Sequence, residues 1–419
     1  MERAERVRYK GKAGQRAGSR AVVLGIERFR FFRYIYLVAV SSTISGGFQL
    51  KVLTLPFADS ESQDILPRIK ASETEKLFPE SKLLNSRKLL LVRTDRIGDM
   101  LVTTPCIRAV RRALPHAHID MLASAHNMPA IQGNPWLDNI LIYDRKHPLT
   151  WPGLVARLRA EKYDAAFVFN SNSRSASFLI ALSGIPERVG FSGPPLRHGR
   201  VAWGFGGVYT LLPQGKSVQV TLDMLEKLES LGIAADLPHM DFIVPEALTQ
   251  SMRQRFPVGS GRRRLALFIG NIKKVMKRWP PEKFRELASR LLADEEDLEI
   301  AVLTGPSDRP LLQAFSGMEH PRLMYFTGST LQESGAFLQT CCALVAGSSG
   351  PTHVAAALDI PVLSVTTRYS ATVWGTLGKY DANVTPESDT PDMRGIPMEP
   401  VEAMIRSFLK EERARSSEN

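Results

Sequence analysis

The chain has few cysteines and no long apolar run, and each shortage excludes something. Only Cys106, Cys341 and Cys342 occur in 419 residues, none in a C-x-x-C pair. Cys341 and Cys342 are adjacent, a poor arrangement for a disulfide. A disulfide scaffold and a Cys-rich zinc module are excluded, and a reducing, cytoplasmic compartment is the natural setting. Neither G-x-G-x-x-G nor a Walker A loop is present, which argues against dinucleotide and P-loop chemistry. The uncharged stretch from Tyr34 to Leu50 falls short of the ~20 apolar residues that span a bilayer, and Ser41, Ser42, Thr43, Ser45, Gly46 and Gly47 dilute it. The charged leader before it is too long for a signal peptide and no small-residue cleavage pattern follows, so export is not expected. What is present is globular: 44% hydrophobic and 23% charged residues. A length of 419 residues, between two and three times about 150, predicts two or three domains.

Lys and Arg total 54 against 43 Asp and Glu, a formal charge of +11. Residues 1–33 hold ten cations and three glutamates and so supply +7 of it. Such an arm suits an anionic surface, and equally a solvated tail. No nucleic-acid module and no interleaved aromatics accompany it, so nucleic acid is not an expected partner. Beside the apolar run Tyr34–Val40 it fits peripheral contact with the inner face of a membrane. Residues 1–86 therefore read as a basic and apolar extension that ends in a polar linker from Ala58 to Leu84.

From Lys88 onward short apolar runs alternate with helical periods, the pattern of βα units on parallel sheets. Leu89–Val92, Ile119–Leu122, Ile140–Tyr143 and Ala165–Phe169 read as strands, with helices over Leu101–Leu114 and Ser173–Leu182. A second block has strands at Leu265–Ile269, Ile300–Leu303, Ala343–Ala346 and Pro361–Val365. Its helices run over Pro281–Leu292, Leu331–Thr340 and Gly350–Leu358. Pro238, Pro245, Pro257, Gly259 and Gly261 punctuate the join, as a hinge would. The fold class is α/β, with one Rossmann-like domain over 87–245 and another over 262–385 facing a central cleft. The segment 386–419 ends in a helix expected to return to the first domain. Ligands in such sheets bind beyond the carboxyl ends of the strands.

Three loops at strand ends carry the chemistry. The first, Arg93 to Leu101, follows the first strand. Gly98 permits a turn or a close backbone approach there. Asp99 stands where a helix begins, either as its N-cap or as a carboxylate that accepts a proton. The second loop is Gly347-Ser348-Ser349-Gly350-Pro351-Thr352-His353. Backbone N–H groups at a helix start attract phosphate, Gly350 lets an anion approach, and Ser348, Ser349 and Thr352 add hydroxyls. His353 reaches either a ligand or the core. The third loop holds Lys273, Lys274, Lys277 and Arg278 before Trp279. Its cations suit a diphosphate or form a solvated basic loop, and Trp279 beside Pro280 is expected to pack rather than bind.

Together these loops resemble the glycosyltransferase family that contains the bacterial heptosyltransferases of lipopolysaccharide core assembly. Arg93 to Pro105 matches its R-x-D-x-[IL]-G-D-x-[LV]-x-[ST]-x-P segment, and Lys277 to Phe284 its K-R-W-P-x-E-x-[FW] segment. Gly347 to Leu358 matches its G-D-[ST]-G-P-x-H-[LV]-A-A-A-L segment except at Ser348, where the family has an acidic residue that binds sugar hydroxyls. Gly270-Asn271-Ile272 also replaces a segment that commonly carries Ser or Thr facing the diphosphate. The resemblance implies a GT-B fold and an inverting, metal-independent transfer, typically from ADP-heptose, onto a lipid-linked saccharide, with no cofactor. The absence of any Asp-x-Asp element agrees with that. It implies Asp99 as base on the acceptor side, in a loop with Arg93, Arg96 and Gly98. It implies Lys277 as the diphosphate cation and Ser348, Ser349, Gly350, Thr352 and His353 as the donor cradle, with Asp308 near the adenosine ribose. Another nucleotide sugar serving a different surface glycan, or a binding protein that has lost turnover, remains open at this stage.

Overall fold

The computed structural model describes residues 81–192, 206–235, 237–271, 275–328, 330–378, 380–388 and 390–418, together with three strands nearer the N-terminus. The chain divides into two units, Met1–Arg68 and Ile69–Asn419. In the first unit, β1 (Ala21–Leu24), β2 (Tyr34–Ser41) and β3 (Gln49–Pro56) form an antiparallel sheet in that order. The apolar run Tyr34–Val40 is thus a strand, paired with β3 from Tyr34↔Pro56 to Ser41↔Gln49. Most of the basic arm and the linker up to residue 80 lie outside the described residues. No helix among the described residues is long and apolar enough to cross a membrane.

The second unit holds two parallel sheets. After the short α1 (Ser81–Leu84), the first contains β4 (Lys88–Arg93), β5 (His118–Ser124), β6 (Asn139–Tyr143), β7 (Ala165–Val168) and β8 (Glu187–Gly190). Their order is β6-β5-β4-β7-β8, all parallel. The central strand β4 is a continuous apolar run, Leu89 to Val92, because both of its faces are covered and all four side chains are fully buried. The helices are α2 (Ile97–Leu101), α3 (Thr104–Ala113), α4 (Trp151–Glu161), α5 (Arg174–Ser183) and α6 (Val220–Glu229).

The single helix expected over Leu101–Leu114 is in fact two, and Pro105 explains the break. Proline has no N–H to give the carbonyl four residues back. Here the Thr104 hydroxyl donates to that carbonyl, Leu101 O, at 2.8 Å, and the Thr103 hydroxyl donates to Asp99 O at 2.8 Å. The interruption lets α2 end early, as a separate one-turn platform for Asp99.

Helix α7 (Glu246–Arg255) lies inside the segment expected to be a plain hinge. Just before it, Arg108 of α3 grips the chain: Nη1 donates to both Asp241 carboxylate oxygens at 2.7 Å, and Nη2 to the carbonyls of Leu237 and His239. The connection between the domains is therefore fastened to the helix that follows the Asp99 turn.

The second sheet comprises β9 (Arg263–Phe268), β10 (Leu298–Thr304), β11 (Leu323–Thr327), β12 (Ala343–Ala346), β13 (Val362–Val365) and β14 (Ala382–Val384). It runs β11-β10-β9-β12-β13-β14, again all parallel. Its helices are α8 (Pro281–Asp294), α9 (Leu331–Leu338), α10 (Gly350–Ala357), α11 (Arg368–Trp374) and α12 (Met398–Glu418). Each sheet changes direction beside its first strand, between β4 and β7 and between β9 and β12, which is where ligands bind in doubly wound sheets.

The terminal helix does not return to the first domain. Val401, Ile405 and Leu409 of α12 enter the apolar core of the second domain, and Arg263, Arg290, Arg406 and Arg413 tie it to that domain through carboxylates. Trp279 packs as expected: it is buried, lies edge-on to Phe284 with ring centroids 4.9 Å apart, and donates from Nε1 to Ile396 O at 3.0 Å. A separate apolar cluster runs through both domains, joining Leu89 and Phe167 of the first to Phe326, Phe337 and Val354 of the second.

Candidate active site

The Asp99 turn leaves the carboxyl end of β4, and one buried cation organises it. Arg93 is 3% exposed. Its Nε donates to Asp95 Oδ1 at 2.8 Å, Nη1 to Phe169 O at 2.8 Å and Nη2 to Asp99 Oδ1 at 3.2 Å. Burial works against the charged guanidinium, but the two carboxylates outweigh it and hold its pKa above the ordinary arginine value. Asp99 does not cap α2. The N-cap position is Arg96, without a side-chain cap, and Asp99 sits in the first turn with its side chain 13% exposed. A carboxylate there gains from the positive end of the helix. Among the described residues its second oxygen, Oδ2, accepts no hydrogen bond. Arg96 itself is exposed.

The Gly347 turn leaves the carboxyl end of β12. Thr352 Oγ1 donates to Gly347 O at 2.6 Å and lies 3.2 Å from Ser349 Oγ, which closes the turn on itself. Ser349 is the N-cap of α10 in extended conformation, yet its side chain makes no cap bond. The first N–H groups of α10 therefore have no side-chain acceptor from the cap residue, the state in which a helix start receives an anion. Ser348 is exposed, and Gly350 is the first helical residue.

These two turns touch. A Cβ built on Gly98 would lie 2.7 Å from His353 Cδ2, and one on Gly350 would lie 3.3 Å from Ile97 Cγ2. Gly98 is not among the positive-φ glycines, so its lack of a side chain serves space rather than backbone conformation. Of the two roles open to Gly98 in the sequence, the structure selects close approach. His353 is buried at 5% exposure, and its Nδ1 has no hydrogen-bond partner. Burial pushes its pKa down to about 4, against a smaller pull upward from Asp99, so the imidazole is neutral near pH 7.

Lys277 and Asp308 stand on the loops that follow β9 and β10. Lys277 is exposed, while Lys273 and Lys274 lie outside the described residues. Asp308 approaches the preceding loop closely: a Cβ on Gly270 would meet its Oδ2 at 3.0 Å. Asn170, just beyond β7, belongs to none of the three loops singled out in the sequence. Its Nδ2 donates to Thr94 Oγ1 at 2.9 Å, and its buried Oδ1 is unpartnered. The polar run Asn170-Ser171-Asn172-Ser173 directly after an apolar strand was the signal available.

A half-buried carboxylate on one Rossmann-like domain and an open helix start on the other thus lie in contact across the cleft. The profile of glycosyltransferase family 9 (heptosyltransferase) matches residues 152–396, and the chain belongs to that family. The chain is 26% identical over 301 residues to lipopolysaccharide heptosyltransferase 2 of Salmonella typhimurium, covering 66% of this chain and 82% of that one. Among solved structures, a glycosyl transferase family 9 protein from Veillonella parvula superposes with a TM-score of 0.66 at 19% identity, over 78% of this chain and 97% of that one. The E. coli ADP-heptose lps heptosyltransferase II gives 0.61 at 21% identity, over 78% and 99%. The fold is GT-B, and the protein is a glycosyltransferase enzyme.

Two outcomes follow from the contact. Gly98→Val should lower kcat roughly 100-fold through misplacement of the Asp99 turn, with little change in ADP affinity by calorimetry; unchanged kcat would contradict the close-approach role. For His353, the unfolded imidazole titrates near 6.5 and the folded one near 4. Between those values the unfolded chain binds a proton the folded one does not, so stability falls as pH drops through that window and is level above it. The effect is on the order of 3 kcal/mol at full protonation. Urea midpoints at pH 4.5 and pH 7 should differ less in His353→Gln than in the wild type, and equal differences would refute the assignment.

Proposed function

We propose that the chain transfers heptose from ADP-heptose onto a lipid-linked saccharide of the lipopolysaccharide core, by an inverting, metal-independent displacement. The observation that carries this reading is the contact of the Asp99 turn with the Gly347–His353 turn through Gly98 and His353. It sets a carboxylate from the first domain beside a helix start on the second whose cap residue leaves it open to an anion.

Asp99 is the base. The acceptor hydroxyl oxygen forms its bond to the anomeric carbon while its proton passes to the Asp99 carboxylate. The bond from that carbon to the diphosphate breaks, and its electron pair leaves on the phosphate oxygen. One displacement on one face of the sugar gives inversion. Lys277 and the first N–H groups of α10 balance the charge that develops on the leaving ADP. Ser349, Gly350 and Thr352 shape that cradle, Ser348 faces the sugar, and Asp308 serves the ribose. Arg96 and Gly98 belong to the acceptor-side loop. His353, buried and neutral, borders the reaction without adding a charge. A saccharide acceptor anchored in lipid suits an enzyme that works at the inner surface of a membrane, which the basic extension would favour.

One observation favours a second reading of the donor. Ser348 is exposed in the cradle where the family carries an acidic residue, and a hydroxyl recognises sugar hydroxyls less strongly than a carboxylate does. A nucleotide sugar other than ADP-heptose would keep the same fold and mechanism.

Asp99→Asn should reduce transfer by about 10²- to 10⁴-fold while ADP binds with unchanged affinity in the presence of a chelator. Normal turnover by that variant would overturn the mechanism.

A further inference from the structure

We propose that Arg93 is a positioning residue for Asp99, holding the base by one oxygen so that the other is presented to the acceptor. The inference rests on the reading of Asp99 as the base. A loop arginine beside a saccharide site would ordinarily be taken as an acceptor contact. The structure turns it the other way: Arg93 is buried, and its donors run to Asp95, Asp99, the Phe169 carbonyl and, at 3.9 Å, the Met224 sulfur.

The geometry of those bonds matters more than the charge. A planar guanidinium bonded in three directions cannot rotate without breaking one of them. Phe169 O, just beyond β7, and Asp95, in the loop after β4, fix the plane, and the remaining nitrogen meets Asp99 Oδ1. Asp99 Oδ2 is left without a hydrogen bond among the described residues. One oxygen is thus tied and the other is free for a substrate hydroxyl. The charged and titratable groups that face Asp99 are Arg93 and Asp95 from the β4 end and His353 from α10. Among them only Arg93 carries positive charge at pH 7, since His353 is neutral there. Removing the arginine would leave two carboxylates close together with no cation between them.

A lysine could supply the charge but not the fork, so the two conservative replacements separate the effects. Arg93→Met should lower kcat roughly 100-fold with the Kd for ADP unchanged, and should move the acidic limb of the kcat/KM profile to higher pH. Arg93→Lys should leave that limb near its wild-type position and still lose about tenfold in kcat, because charge returns without orientation. If Arg93→Met does not fold, Arg93→Lys alone decides: wild-type kcat at a wild-type melting temperature refutes the proposal. A purely structural arginine would instead reduce melting temperature and active fraction together, with the pH profile unmoved, and that result also refutes it. Asp99→Asn run alongside separates the two levels. Full turnover there removes the base reading itself, whereas an inactive Asp99→Asn beside a fully active Arg93→Met removes only the positioning role.

Discussion

Two turns on different domains meet at Gly98, where a Cβ would lie 2.7 Å from the His353 ring, and the placement of Asp99 beside the start of α10 depends on that approach. Gly98 lies against the ring of His353, and Gly350 against Ile97. Each glycine answers a bulky side chain on the opposite domain, so the fit is reciprocal. If either turn were displaced, the carboxylate and the helix start would no longer share a site. The rest of the unit supports that placement. Pro105 cuts α2 away from α3, Arg108 fastens the interdomain chain to α3, and an apolar cluster continuous through both domains fills the space behind.

Charge is arranged around this contact with the same economy. Asp99, Asp95 and Arg93 form a compact group at the end of β4, and the histidine opposite is kept neutral by burial. A protonated imidazole at that point would be drawn to Asp99 and would compete for its carboxylate. The cations that suit a leaving diphosphate stand elsewhere, on the exposed loop before Trp279. The Asp99 turn therefore holds its carboxylates beside a buried cation, while the start of α10 is open to an anion.

Much of this was legible in the sequence because the motifs sit at strand ends, where an apolar run stops and Gly, Asp, Ser and Lys begin. The central strands read well because burial on both faces makes them continuous apolar segments. In the two parallel sheets the strands that were missed, β8, β11 and β14, are all at edges. There one side is uncovered, and polar or exposed residues such as Glu187, Tyr325 and Asn383 break the run. The break between α2 and α3 was encoded in Pro105 but hidden by an apolar period that passes through it. The direction of α12 was not legible, because its apolar stripe fits either domain and only its partners Asp294, Asp297 and Arg290 decide. Contacts between residues hundreds of positions apart, such as Gly98 with His353, leave no local trace in one sequence. The same holds for the inward turn of Arg93, whose partner carbonyl at Phe169 belongs to another strand end.

The most direct test is a crystal structure with a non-transferable ADP-heptose analogue bound. The diphosphate should lie at the start of α10, beside Ser349 and Gly350 and within reach of Lys277, with the anomeric carbon turned toward Asp99. A nucleotide bound away from the Gly347–His353 turn, or a sugar facing away from Asp99, would contradict it.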